Sequence, residues 1–485
     1  MSETIPARGI PGQSSTSILG NAVLRREDAT LIRGKGEFVA NQLFEDLLHA
    51  HFVRSTAAHG EILSIDVDDA RSMPGVVAVH TAADLGLDDR PPAMGFYAAE
   101  AIRPFLARDR VRFVGEPLAV VVAETAYQAA DAAESVWADI EPLTAVVSIH
   151  DAVAAETVLF EARDDNVMWQ IPSAGAIDFS GCEVVVTEKL WNSRVAAVSI
   201  EPRVVAASFA DGKLTYWASS QGTHDFRDGA AKCLGMDPAD VRVLVKDVGG
   251  GFGAKGMVSE EEVIVGQLAR LIGRPVRWVE GRTENLSAYV HGRAQAQTVT
   301  IGGNRDGRVT HYRLDVVQDC GAYPKWGAFL PEFTRQLASG VYDIANLEFS
   351  AVSVATNTAP TCAYRGAGRP EATSAIERAM DLFAAEVGMD VAELRRINLL
   401  ASEAFPYTTP TGTSLDSGDY EGSLDRALAA IDYAGLRATQ QRRRDAGDPV
   451  QMGVGVATYV EITGFGGSEY GEVRLRSDGT VLAYT

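Results

Sequence analysis

The hydrophobic pattern changes period most sharply between Val241 and Arg282. Val241, Val243, Leu244, Val245 and Val248 form an apolar-rich, largely β-branched run that predicts a strand over 241–248. Val263, Ile264, Gln267, Leu268, Leu271 and Ile272 then recur at helical spacing, with Glu260, Glu261 and Glu262 in the first turns, where the helix dipole favours acids. Gly273 and Pro275 stop that helix, and a short strand is predicted over 275–279. Upstream, strands are predicted over 47–53, 76–80 and 118–123, and an alanine-rich helix over 125–138. Just before Val241, the Asp211-Gly212 turn joins a hairpin that ends on Ser220-Gln221, and a helix is predicted over 225–234. Strands over 296–301, 308–318 and 349–356 and a helix over 372–387 follow. The fold class is α+β (mixed α/β).

Residues 1–20 are small and polar and predict a disordered arm. An α/β domain is expected over 21–147, an Ala/Asp/Ser-rich linker over 148–182, a second domain over 183–450, and the start of a third over 451–485. With 485 residues, 46% hydrophobic and 22% charged, the composition is that of a globular protein. The formal charge of −21 argues against nucleic acid and anionic membrane as partners. No run reaches the ~18 apolar residues of a membrane span, and Arg25-Arg26 leads into Glu27-Asp28 rather than an apolar export signal. A cytoplasmic location is the default expectation.

The chemistry concentrates in two glycine loops. Gly249-Gly250-Gly251-Phe252-Gly253-Ala254-Lys255-Gly256 holds five glycines in eight residues, between a strand and a helix. Such a turn lets the backbone approach a ligand and aims several N–H groups at an anion, though it also serves as a plain tight turn. Gly251-x-Gly253-x-x-Gly256 fits the dinucleotide pattern by count and keeps an NAD-dependent dehydrogenase as an alternative. Glu280 lies too far along for the ribose acid of that fold, and Lys255 is followed by Gly256 rather than a P-loop Ser or Thr. The second loop, Ala363-Tyr364-Arg365-Gly366-Ala367-Gly368-Arg369, also sits between a strand and a helix with an acid, Glu371, near its start. Two such loops on one cleft suit a large anionic cofactor. Gln221, at a strand end, can donate its amide to a ligand oxygen or merely satisfy its own loop. Cys182, Cys233, Cys320 and Cys362 stand 42 or more positions apart and form no C-x-x-C pair, so no protein-ligated metal is expected.

With both loops in view, the chain resembles the molybdopterin-binding large subunit of the xanthine dehydrogenase, aldehyde oxidase and aerobic carbon monoxide dehydrogenase family. The likeness rests on Glu201-Pro202-Arg203, Ser220-Gln221-Gly222, Gly249 to Lys255, Arg274-Pro275-Val276 with Trp278, and Ala363 to Arg369, in that order. It extends from about Asn21 to Thr485. The resemblance implies a hammerhead-like domain over 21–147 and a first molybdopterin-binding domain over 183–450, with a second beginning at 451. It implies molybdenum on a pterin dithiolene, in cytosine dinucleotide form, with 2Fe-2S and FAD on partner subunits. Gln221 matches the glutamine facing the apical oxo ligand. Gly250, Gly251, Phe252 and Gly253 match the loop against the pterin, and Arg365 with Gly366 matches the second loop. An arginine there suits developing negative charge in a dry pocket, although Arg365 could instead tie its own loop together.

Departures from the family pattern narrow the expected substrate. Copper-bearing carbon monoxide oxidisers place a Cys where Gly366 stands, and Cys362 is on the wrong side of Arg365. Purine oxidisers carry an acid at Gly256, a stacking Phe at Ala367 and an arginine at the position of Phe333. Without these polar and stacking groups an apolar pocket is expected, suited to an aldehyde or an N-heteroaromatic compound. The family's catalytic glutamate belongs to a Gly-x-Gly-Glu segment that this sequence lacks. Glu461 and Glu469 are not in such a motif, so the chain is expected to be incomplete without a further segment, or to be a non-catalytic relative that binds cofactor or partners only.

Overall fold

A computed structural model describes residues 25–462 and 470–484. The proposed arm over 1–20, Glu469 and Thr485 lie outside the described residues. The N-terminal part contributes β1 (Leu48–Arg54), β2 (Gly60–Asp66), β3 (Val76–Thr81), β4 (Pro117–Ala123), α1 (Ala126–Ala133) and β5 (Trp137–Pro142). β4 is buried along its whole length, as its unbroken run Pro-Leu-Ala-Val-Val-Val-Ala predicts. The alanine-rich helix is shorter than its pattern suggests. It stops at Ala133, because Trp137 to Pro142 pairs with β2 instead, with Trp137 opposite Asp66. Aromatic and β-branched residues favour the strand once a partner edge is available.

The stretch read as a linker is structured: α2 (Ile149–Ala154) and β6 (Val167–Ile171) lie within it. Next come β7 (Val184–Asn192), β8 (Val204–Ala210), β9 (Lys213–Ala218), α3 (Thr223–Leu234) and β10 (Val241–Leu244). β10 ends four residues before its hydrophobic pattern does. Lys246 and Asp247 turn away to bind Glu37, through its carboxylate at 3.0 Å and its backbone N–H at 2.7 Å. α4 (Glu260–Ile272) is closed at its start by a Ser259–Glu262 capping box and at its end by left-handed Gly273. β11 (Val276–Val279), β12 (Gln295–Gly303), β13 (Val309–Asp319), α5 (Leu330–Gln336), β14 (Asn346–Val354) and α6 (Arg369–Val387) complete the frame.

Two sheets organise these elements. The first has seven strands in the order β10-β9-β8-β11-β1-β4-β3, so the N-terminal strands continue the sheet of the glycine-loop region. The junction is parallel, with Leu48 opposite Val276. Leu48, Phe52, Val205, Tyr216, Val263, Leu268 and Trp278 share one core between this sheet and α4. The second sheet runs β6-β14-β13-β12-β7 and packs against α6 through Val299, Leu314, Ile376, Met380 and Phe383. One glycine loop leaves each sheet: the first between β10 and α4, the second between β14 and α6.

Candidate cofactor site

The two loops meet. Arg365 of the second donates its N–H to the carbonyl of Phe252 in the first at 2.9 Å. A side chain on Gly253 (φ +96°) would come within 2.9 Å of the Ala363 carbonyl oxygen, so only glycine permits this approach. Gln221, on the turn after β9, lies across the first loop. Its Oε1 accepts from the N–H of Gly253 at 2.8 Å and of Lys255 at 3.3 Å. A Cβ on Gly251 would sit 2.4 Å from that oxygen. Because the oxygen is occupied by the loop, the Nε2 amide is left as a donor, with no acceptor among the described residues.

The N–H groups of Gly250, Gly251 and Phe252 likewise find no acceptor among the described residues. Phe252 is 40% exposed and held at φ +56°. Arg365 is exposed, and its guanidinium makes no hydrogen bond or ion pair among the described residues. Three adjacent orphan amides, a fixed carboxamide donor and an unpaired cation form a surface for an oxygen-rich anion. Gly366 (φ +90°) closes the second loop, where a Cβ would meet Pro370 at 2.9 Å.

The residues expected to line a substrate pocket are placed unevenly. Phe333, on α5, is 9% exposed and stacks parallel to Trp326 with ring centres 6.1 Å apart. It lies beneath the second loop, where a Cβ on Gly368 would meet its Cβ at 2.4 Å. Ala367 is half-buried and donates its N–H to the Tyr364 carbonyl, two residues after Arg365. Gly256 is half-buried at the end of the first loop, bonded to the Gly253 carbonyl. Glu461 pairs with Arg369 at 2.9 Å.

Sequence comparison agrees with this geometry. Residues 159–399 match the molybdopterin cofactor-binding domain, and residues 33–144 match the a/b hammerhead domain of aldehyde oxidase and xanthine dehydrogenase. The chain belongs to the aldehyde oxidase and xanthine dehydrogenase family. Among relatives in this family, the carbon monoxide dehydrogenase large chain of Hydrogenophaga pseudoflava is 35% identical, over 92% of this chain and 58% of its own length. The nicotine 6-hydroxylase large subunit of Paenarthrobacter nicotinovorans is 35% identical, over 92% and 56%. The solved quinoline 2-oxidoreductase of Pseudomonas putida 86 superposes with a TM-score of 0.83 at 32% identity, covering 88% of this chain and 56% of that one. The chain thus spans a little over half the length of the relatives it matches.

Within the family fold, buried charges below the loops do work that no sequence pattern announced. The three acids that open α4 are not a solvated first turn. Glu260 is 2% exposed and binds Arg90 at 3.0 Å, Arg103 at 3.0 Å and Lys325 at 2.8 Å. Burial opposes its ionisation, but Arg103, Lys325 and Arg90 together hold its carboxyl well below the usual range. Glu261 is likewise buried, and Arg203 and Arg54 outweigh that burial to keep it ionised. Glu262 is spent on the capping box, and burial raises its carboxyl. Arg203 also binds Glu280 at 2.6 Å and stacks over Tyr289 and Trp278.

Arg293 was also invisible to motif reading. It is buried just ahead of β12 and donates to the carbonyls of Tyr364 at 3.0 Å and Arg365 at 2.7 Å, fixing the second loop. Only its left-handed φ of +63° marks it, and that is not written in the sequence. The dinucleotide alternative loses its footing at Glu280, which is locked on Arg203 and Asn285. The start of α4 is filled by buried carboxylates where a pyrophosphate would have to lie.

Proposed function

We propose that this chain forms the cofactor-holding part of a molybdenum hydroxylase large subunit. The carrying observation is the junction of the two glycine loops, with the Gln221 amide, three orphan backbone donors and Arg365 all unspent. These groups fit a molybdenum–pterin cofactor, whose oxo and phosphate oxygens are acceptors. No cluster of His, Cys, Asp or Glu suited to a metal ion occurs among the described residues, which is compatible with a metal held by the cofactor's own sulfurs. When bound, that cofactor supplies two-electron oxidation with water as the oxygen donor.

The chain's own residues orient and stabilise. Gln221 holds a donor at a fixed place, because its oxygen is bonded to the loop that must contact the cofactor. Gly250 to Gly253 bring the backbone close and exclude side chains. Arg365 supplies a permanent charge where negative charge grows on the substrate. The general base implied by the family resemblance is assigned to no residue here, since Glu461 is engaged with Arg369.

An aldehyde or an N-heteroaromatic compound is the proposed substrate class, hydroxylated or oxidised with electrons passing to iron–sulfur and flavin subunits. The absence of ionic groups at Gly256, Ala367 and Phe333 supports this class, and the named activities of the nicotine and quinoline relatives are of the same kind. Gly366 offers no thiol for copper, and Cys362 is 6% exposed. The cytosine dinucleotide form of the cofactor is part of the proposal.

Metal and pterin analysis of the enzyme, purified with its co-expressed subunits, tests the reading. About one molybdenum and one cytosine-dinucleotide pterin per chain is expected, followed by turnover in a screen of aldehydes and N-heteroaromatics. Cofactor without turnover would favour a binding-only relative, and no molybdenum would reject the proposal.

A further inference from the structure

Beneath the first loop lies a charged cluster that the proposed mechanism does not use. Lys255 is 4% exposed, and its ammonium is saturated. Its three donors have three acceptors: the Glu201 carbonyl at 2.8 Å, Ser219 Oγ at 2.7 Å and Glu201 Oε2 at 3.4 Å. A lysine so committed cannot bind a cofactor phosphate. Burial lowers its pKa, and the Glu201 carboxylate works against that fall.

Glu201 Oε2 also accepts from Ser219 Oγ at 2.5 Å and from the N–H of Gly249 at 2.8 Å, while the Glu201 N–H bonds back to the Gly249 carbonyl. One carboxylate therefore ties together both ends of the glycine loop, Gly249 and Lys255. The Lys255 backbone continues the chain of contacts, its carbonyl accepting from the Gln221 N–H at 3.0 Å and its N–H donating to Gln221 Oε1. Glu201 Oε1 is buried without a hydrogen bond among the described residues. Such an orphan is a cost that stability alone does not explain, and it marks a group kept for where its other oxygen must be.

We propose that Glu201, Lys255 and Ser219 are positioning residues that set the first loop and, through it, the direction of the Gln221 amide. This rests on the cofactor reading above and adds to it a group of residues that touch no ligand. The clip acts by geometry: it fixes the amides of Gly253 and Lys255, and these fix the carboxamide.

The test compares E201Q, S219A, Q221A and the E201Q/Q221A double variant in the complete multi-subunit enzyme and, separately, in cofactor-free protein. In loaded enzyme, E201Q should lower kcat at least ~10-fold, with KM changed less than about twofold. In a Q221A background it should add less than about twofold, because both changes spoil the same donor. In cofactor-free E201Q, amide exchange at Gly253 and Lys255 should quicken at least ~10-fold while the core of α4 keeps its protection. S219A, which removes a single hydroxyl, should show the same exchange pattern more weakly and serves if E201Q does not fold. Multiplying effects of E201Q and Q221A in molybdenum-loaded enzyme, or unchanged exchange at Gly253 and Lys255 in either variant, would overturn the inference alone. Wild-type enzyme without molybdenum would overturn the cofactor reading and this inference with it.

Discussion

Glycines at 251 and 253 are required by what lies 2.4 and 2.9 Å away, Gln221 Oε1 and the Ala363 carbonyl. G251A must push Gln221 aside. Because one misplaced donor at a reacting centre costs about 10²–10³ in kcat, a loss of that size is expected in steady-state assays of the molybdenum-loaded enzyme. Arg365 offers the contrasting case. R365A should lower kcat/KM by roughly 10²–10³ yet leave denaturant unfolding within about 0.5 kcal/mol, since its guanidinium holds nothing among the described residues. R365K should recover little, because a lysine lacks the planar fork. The two loops were legible in the sequence because glycine spacing carries its own reason, whereas Gln221 stood out only by its place at a strand end and by the family resemblance. The buried contacts of Glu201 and Arg203, which entered only as part of the family resemblance, and the whole of Arg293 were not legible, because a buried ion pair needs partners distant in sequence that no local pattern supplies.

At the scale of elements, the opening of α4 is where pattern reading and structure part most instructively. Three glutamates at a helix start complement the dipole, and the helix is found over Glu260–Ile272, but the dipole says nothing of their burial. Their burial follows from Arg54, Arg90, Arg103 and Arg203, which arrive from elsewhere in the chain. Glu260 and Glu261 have folded-state pKa values pulled down from the usual value near 4.3. Their contribution to stability is therefore complete above that value and is lost as pH falls below it. Denaturant unfolding should be nearly flat from about pH 8 to 5 and weaken below about pH 4, with E261Q reducing the slope. At neutral pH, E260Q should cost roughly 3–5 kcal/mol, because it strands three cations around an amide. The short β10 and the truncated α1 were misjudged because hydrophobic period says nothing about how long a partner strand continues.

At the scale of the molecule, Glu260 joins Arg90 and Arg103 of the hammerhead region to Lys325 of the cofactor domain, and the seven-stranded sheet runs through the same boundary. The two regions should therefore unfold as one unit. Differential scanning calorimetry of the wild-type enzyme should give one transition for both, and R103M should separate or broaden it. Sequence reading divided the chain near residue 147 because composition changes there, and composition is blind to a strand pair such as Leu48 with Val276.

That pairing also fixes an order of events during synthesis. β1 leaves the ribosome early, and its free side waits for a strand roughly 230 residues further on, tens of seconds at ~5–20 residues per second. Until then it offers an open edge to any neighbouring chain. The first glycine loop emerges just before the strand that closes the sheet, so the cofactor's cradle cannot take shape until that wait ends. Nascent chains should depend on chaperones through this interval, and the cradle is complete only once the second loop, ahead of α6 (Arg369–Val387), has emerged as well.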